Sequence, residues 1–276
     1  MPHESLIRLS CFFGIFAVMA LYELLAPRRA RRVSKSGRWF ANLAVVVVDT
    51  IAVRLVFPAA AVGAALFAEN QGWGLFHYAN TPYWLAFLAS FVILDCVIYL
   101  QHVMFHAVPV LWRFHMIHHA DLDLDVTSGL RFHPIEIILS MGLKIAVIAV
   151  LGPPVWSVIV FEVVLNGTAM FNHSNVRIPQ PLDRVLRWFV VTPDMHRVHH
   201  SVVPYESNSN FGFNFPWWDR LFGTYKAQPD AGHEGMTLGL TQFQEVTRQS
   251  IWWLVMIPFR GKTGDYPINR RTFRSK

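Results

Sequence analysis

The sequence predicts an all-α integral membrane protein: a helical transmembrane bundle capped by a cytoplasmic, histidine-rich helical region. Three observations predict it: apolar stretches of spanning length, a shortage of charge, and histidines recurring at helical spacing. Of 276 residues, 53% are hydrophobic and 15% charged, where a soluble domain carries about a quarter charged. Mean hydropathy is +0.33. Lipid is therefore part of the solvent.

Residues 6–25 form the first apolar stretch, closed by Pro27, Arg28 and Arg29; the arginines that follow favour a retained anchor over a cleaved signal. Residues 42–67 form a second, carrying Asp49 and Arg54, which are expected to pair as ionisable groups at that depth do. Residues 68–81, with glycines, asparagines and aromatics, read as an interfacial turn. Residues 82–100 form a third stretch that runs directly into His102 and His106. Residues 135–171 are too long for one span and break at Gly152-Pro153-Pro154, which predicts a helical hairpin. Beyond it, residues 185–191 read as a short interfacial helix, and residues 251–257 are too short to span. The whole reads as a single membrane domain over 1–276: N-terminal spans to residue 80, a catalytic region over 80–260, and a loosely ordered basic tail over 261–276.

The net charge is +6. Basic residues gather at Arg28, Arg29, Arg31, Arg32, Lys35 and Arg38, and again over 260–276. Beside apolar segments they read as topology signals or headgroup contacts, and no nucleic-acid partner is expected. Placing residues 28–38 in the cytoplasm brings every histidine cluster to that same side. Cys11 and Cys96 both sit in apolar stretches and predict neither a disulfide nor a thiolate site.

Three patterns carry the chemistry: His102 and His106, then His115, His118 and His119, then His196, His199 and His200. Positions i, i+3 and i+4 share a helix face, so each pattern aims its imidazoles in one direction. Clustered imidazoles repel when protonated and need partners when buried; a metal answers both demands. Eight donors exceed the capacity of one ion, and His133 and His173 raise the number of candidates to ten. His3, His77 and His233 are expected to have no metal role. Imidazole suits Fe, Zn, Cu and Ni alike, and no His-Glu-x-x-His signature of a zinc hydrolase occurs. Candidate partners for the ligands' second nitrogens are Asp95, two turns before His102, together with Asp121, Glu136, Asp194 and Glu206. Asn172 and Asn175 flank His173 and are candidates to orient it or to bind a metal-linked water. Asp123 and Asp125 read as a solvated loop, and Arg131 as a partner for a headgroup or carboxylate.

In sequence order, HVMFH (102–106), HMIHH (115–119), RFHP (131–134), FNHSN (171–175) and HRVHH (196–200) resemble the boxes of the fatty acid hydroxylase and sterol desaturase superfamily. The stretch 210–225, NFGFNFPWWDRLFGTY, is similar to the segment that follows the last box. The resemblance spans roughly 80–260. It implies a non-haem di-iron centre held by His102, His106, His115, His118, His119, His196, His199 and His200, with His173 completing the set and His133 a further member. It implies O2-dependent hydroxylation or desaturation of a lipid C–H bond. O2 is the cosubstrate, and electrons come from a separate NAD(P)H-linked carrier such as a reductase with ferredoxin or cytochrome b5. Phe105, Trp112, Phe132, Phe171 and Trp188 are candidate pocket walls. The residues alone leave two rivals open: a zinc-dependent membrane hydrolase or isomerase, and metal transport or storage.

Overall fold

The structure, a computed structural model, describes residues 4–246, 249–260 and 262–269. The first helix, α1, spans Glu4–Leu25. The second crossing is built from two helices, α2 (Lys35–Val56) and α3 (Ala60–Gln71), because Pro58 lacks the N–H to continue the first. The short α4 (Leu75–Tyr78) makes the expected turn, and α5 (Tyr83–Ala107) returns. Pro109 forces Val108 into extended backbone, so the chain ends α5 and starts α6 (Pro109–His119) at once. The predicted hairpin is α7 (Pro134–Leu151) and α8 (Val155–His173). Among the described residues, five stretches are long and apolar enough to cross a membrane: Glu4–Leu25, Lys35–Tyr78, Tyr83–Ala107, Pro134–Leu151 and Val155–His173. The chain is a multi-pass membrane protein.

The hairpin turn depends on Gly152. Its φ is +62°, and a Cβ there would lie 2.1 Å from the Trp73 carbonyl oxygen, so both the left-handed turn and the contact require glycine. Trp73 in turn donates from its indole to the Ala149 carbonyl at 2.8 Å. The α3 segment is thereby fastened to the end of the bundle remote from His102 and His106. Between α3, α5, α7 and α8 the core is apolar, with Ala61, Ala65, Leu94, Ile148 and Phe161 buried.

At the other end the cap is held by charge. Arg38, expected among the topology arginines, is fully buried: it donates to Asp121 at 2.8 Å, Asp125 at 2.7 Å and the Asp123 carbonyl at 2.7 Å. Asp123 accepts the backbone N–H groups of Arg32 and Val33, both at 2.8 Å. The expected solvated loop is therefore a buried anchor, closed by residues more than 80 positions away. Removing one partner from such a pair costs about 3–5 kcal/mol, because the other charge is left buried. Burial alone would raise the Asp121 carboxyl, but Arg38 and Arg131 hold it down to about 2.

Three other expectations change. Asp49 and Arg54 form no pair: Arg54 donates to the Pro58 carbonyl at 3.1 Å, and Asp49 Oδ1 has no partner among the described residues. The short helix beyond the hairpin, α9, covers Gln180–Leu186 and leaves Trp188 exposed. The basic tail is packed at Tyr266 and Pro267. Tyr266 is buried, stacks on Trp112 at 5.5 Å, and its hydroxyl donates to the Val202 carbonyl at 2.8 Å. Residues 261 and 270–276 of that tail lie outside the described residues. The apolar helix Ile251–Arg260 does not span; it packs Leu254 and Ile257 into a core with Val45, Trp112 and Met116. Both cysteines are free.

Candidate metal centre

Two helices supply the histidine turns of the cap. One is α6; the other is α10 (Pro193–His199), which starts at Thr192, whose hydroxyl accepts the Met195 N–H, with Pro193 preset in its first turn. The ends of α5 and α8 add His102, His106 and His173. All nine imidazoles are buried.

They form two groups, each with ligand atoms within 4.8 Å of one another. The first is His102, His106, His115, His119 and His199; the second is His118, His173, His196 and His200. Each triplet divides. His115 and His119, at i and i+4, join the first group while His118 joins the second; His196 and His200 join the second while His199 joins the first. Helical spacing brought each triplet to one face, and that face straddles both groups.

Tautomers follow from the partners. His102 Nδ1 donates to the Phe211 carbonyl at 2.8 Å, His199 Nδ1 to the Ser209 carbonyl at 2.7 Å, and His115 Nδ1 to the Glu136 carboxylate at 2.7 Å. The two carbonyls only accept, so in His102 and His199 the proton sits on Nδ1 and the lone pair on Nε2. Yet His102 Nε2 faces His115 Nε2 at 3.1 Å, and His199 Nε2 is buried without a partner among the described residues. In the second group His118 Nδ1 donates to the Arg131 carbonyl and His173 Nδ1 to the Ala169 carbonyl, and their Nε2 atoms face each other at 3.0 Å. Lone pairs converging in a buried space fit a cation, and a donor set of imidazole alone fits a transition metal. Burial pushes His115 down to about 3, and burial followed by the neighbouring rings lowers His118, His119, His196, His199 and His200 well below the ordinary imidazole value. The rings are neutral, as ligands must be.

His133 lies outside both groups. It caps α7, where its Nδ1 accepts the Ile135 N–H at 3.1 Å and its Nε2 meets the Val255 carbonyl at 3.2 Å. Of the candidate acids, Glu136 alone bonds a ligand. Asp95 accepts the Trp218 indole at 2.7 Å, Asp194 pairs with Arg28 and Arg197, and Glu206 takes the Asp230 N–H. Asn172 donates to the Phe213 carbonyl and Asn175 bridges to Arg29, so neither orients His173. Arg131 donates to the Ile117 carbonyl at 2.7 Å and lies 3.6 Å from Asp121. Close backbone approach does position His173: a Cβ on Gly129 would lie 2.3 Å from the Ala169 carbonyl oxygen and 3.1 Å from His173 Nδ1. Spacing carried no signal for the oxygens of Phe211 and Asn208, which hold the His102 and His106 rings from 109 and 102 residues away, or for that of Ser209, which holds the His199 ring from 10 residues away.

A cavity of about 320 Å³ adjoins the first group. His102, His115, Phe105 and Phe132 line its inner end, and Arg8 and Arg54 its other end, between α1 and α2. Among the expected pocket walls, Trp112 is instead buried against His106, and Phe171 packs with α1.

Comparison with known proteins agrees with this arrangement. The fatty acid hydroxylase family matches residues 87–224, half of the chain. An ornithine lipid hydroxylase of Rhizobium tropici is 30% identical over 227 residues, 79% of this chain and 66% of that protein. Alkylglycerol monooxygenase of Danio rerio is 29% identical over 62% of this chain and 38% of its own length. Cholesterol 25-hydroxylase of Rattus norvegicus is 26% identical over 51% of this chain and 47% of its own. The chain thus spans just under two thirds of the first relative and less than half of the other two. No solved structure matches. The ordered histidine boxes, the two buried ligand groups they build and the match over 87–224 place this chain in the fatty acid hydroxylase family.

Proposed function

We propose that the chain hydroxylates a C–H bond of a membrane lipid, using O2 at a histidine-held pair of irons. One observation carries this reading: His102 and His115 belong to a buried ligand group and also form the inner wall of a cavity bordered by spanning helices. Bound irons supply the reduction of O2 and the removal of hydrogen from an unactivated carbon, chemistry outside the reach of side chains.

The protein's part is to hold and exclude. The nine imidazoles His102, His106, His115, His118, His119, His173, His196, His199 and His200 are the ligands of this reading, kept neutral by burial. Glu136 fixes the His115 ring through Nδ1. Phe132 stacks on His118 at 4.5 Å and, with Phe105, presents an apolar wall that holds one substrate carbon at the inner end. The lipid enters from the bilayer between α1 and α2. The names of the relatives, hydroxylases and monooxygenases acting on an ornithine lipid, an alkylglycerol and a sterol, favour hydroxylation over desaturation and a lipid substrate over a soluble one. Electrons come from a separate acidic carrier, a ferredoxin or cytochrome b5 served by a reductase. Its docking face is the cytoplasmic end, where Arg31, Arg32 and Arg177 are exposed.

Lipid mass spectrometry of membranes with the wild-type protein and with His118→Ala tests the reading. A lipid gaining one oxygen only with the wild type is expected. The loss of two hydrogens instead would turn the reading to desaturation, and unchanged product in the variant would overturn the site.

A further inference from the structure

The cavity is unevenly charged. At its outer end three cations are already committed: Lys144 and Arg8 pair with Glu162 at 2.9 and 3.0 Å, Arg8 also pairs with Glu4 at 2.8 Å, and Arg54 donates to the Pro58 carbonyl. Toward the metal groups the wall carries two carboxyls, Asp49 on α2 and Glu136 on α7. Neither has a lysine or arginine within pairing distance among the described residues. Asp49 is 6% exposed with Oδ1 unpartnered, and Glu136, 4% exposed, has one oxygen on His115 and the other, Oε2, unpartnered. Gln101, next to His102, adds a third unpartnered oxygen on the same cavity.

A buried carboxyl needs a charge or several donors, and Asp49 receives neither from the described residues. Glu136 and Lys144 lie eight residues apart on α7, about 12 Å along the axis at 1.5 Å per residue, and Arg54, five residues past Asp49 on α2, is turned to the Pro58 carbonyl. The geometry points to a substrate class: an amphiphile bearing a protonated amine close to the carbon oxidised, its ammonium seated between Asp49, Gln101 and Glu136. An ammonium brings one positive charge and three donors, where a sterol or glycerol hydroxyl brings one donor and no charge. The apolar walls at Phe105 and Phe132 then take the chain that bears it. This inference rests on the lipid-hydroxylase reading for the word substrate, but the binding it asserts needs no iron.

Binding is therefore measured by native mass spectrometry on the full chain in nanodiscs of zwitterionic lipid. The probes are an alkyl primary amine, its N-acetylated form and an alkylglycerol of equal chain length. The wild type is expected to bind the amine at least about tenfold more tightly than either neutral probe, the scale of one charge-assisted contact. Asp49→Asn, isosteric and uncharged, is expected to bring the ratio close to one, with Asp49→Glu restoring part of it. Equal binding of the three probes by the wild type overturns the proposal without recourse to any variant, as does an unchanged ratio in a folded Asp49→Asn protein. Oxygen incorporation into lipids by the iron-loaded wild type, measured separately, decides the hydroxylase reading. An enzyme that oxidises lipid yet ignores the amine thus sinks this inference alone.

Discussion

The two histidine groups draw on the same helices, α6 and α10, yet their rings are held differently. In the first, every Nδ1 has a partner: Phe211, Asn208, Glu136, Ser207 and Ser209. In the second, His118 and His173 are held by carbonyls, but Nδ1 of His196 and of His200 is buried without a partner among the described residues. The better-held group also borders the cavity, through His102 and His115, while no member of the second lines it. The rings that line the cavity are thus fixed from outside by the protein, whereas half of the second group has only its helix to position it.

The largest effect expected from this comparison is loss of one group at a time. His115→Ala should empty the first group and leave the second loaded, and His196→Ala should do the reverse. Each should lower lipid product by more than about 100-fold, beyond the 10–100-fold range of losses from ligand-orienting residues. Metal per chain by elemental analysis checks it; loss of both ions in either variant would make the two groups a single site. An intermediate effect is expected from Glu136→Gln, which keeps the shape but removes the charge behind His115. Metal affinity of the first group should fall by about 10–100-fold, seen as faster release to a chelator, with the second group's release unchanged.

The smallest effect concerns pH. His233 is buried beside Asp194 and near Arg28 and Arg197; burial, only partly offset by Asp194, lowers it to about 4. A histidine whose folded value lies below its unfolded value of about 6.5 takes up its proton first in the unfolded chain. Its contribution to stability is therefore complete above about 6.5 and is lost as pH falls from there toward 4. Because Arg197 lies on α10, which carries His196 and His199, acidification should loosen that helix and with it a ring of each group. Thermal unfolding at pH 7.5 and 5.5 should show the drop, and His233→Gln should reduce it; an unaltered pH dependence would separate His233 from the stability of α10.

How much of this was legible in the sequence follows from the range of each interaction. The spans and the hairpin turn are local, written in apolar length and in Gly152-Pro153-Pro154. Eight of the nine grouped histidines are likewise local, since the boxes repeat at helical spacing. The division of each triplet was not, because periodicity gives a face and not what stands opposite it. His133 and His173 were alike as single histidines; what separates them is that Pro134 makes His133 a helix cap, whereas His173 closes the last turn of α8. Asp95 sat at the correct periodicity for His102 but met Trp218, 123 residues away. Asp123 and Asp125 read as solvated because their partners, Arg32, Val33 and Arg38, are about 90 positions upstream. Charge at a distance is invisible to spacing.

The division of neighbouring residues between the groups has a mechanical consequence. His118 and His119 are consecutive, as are His199 and His200, and in both pairs one ring goes to each group. The offset between the groups is therefore gauged by single peptide units at two places, short covalent rulers that do not stretch. Spanning helices tilt to match bilayer thickness. The gauge sits in the cap, behind the Arg38 anchor, and stays constant while the lipid-facing helices breathe.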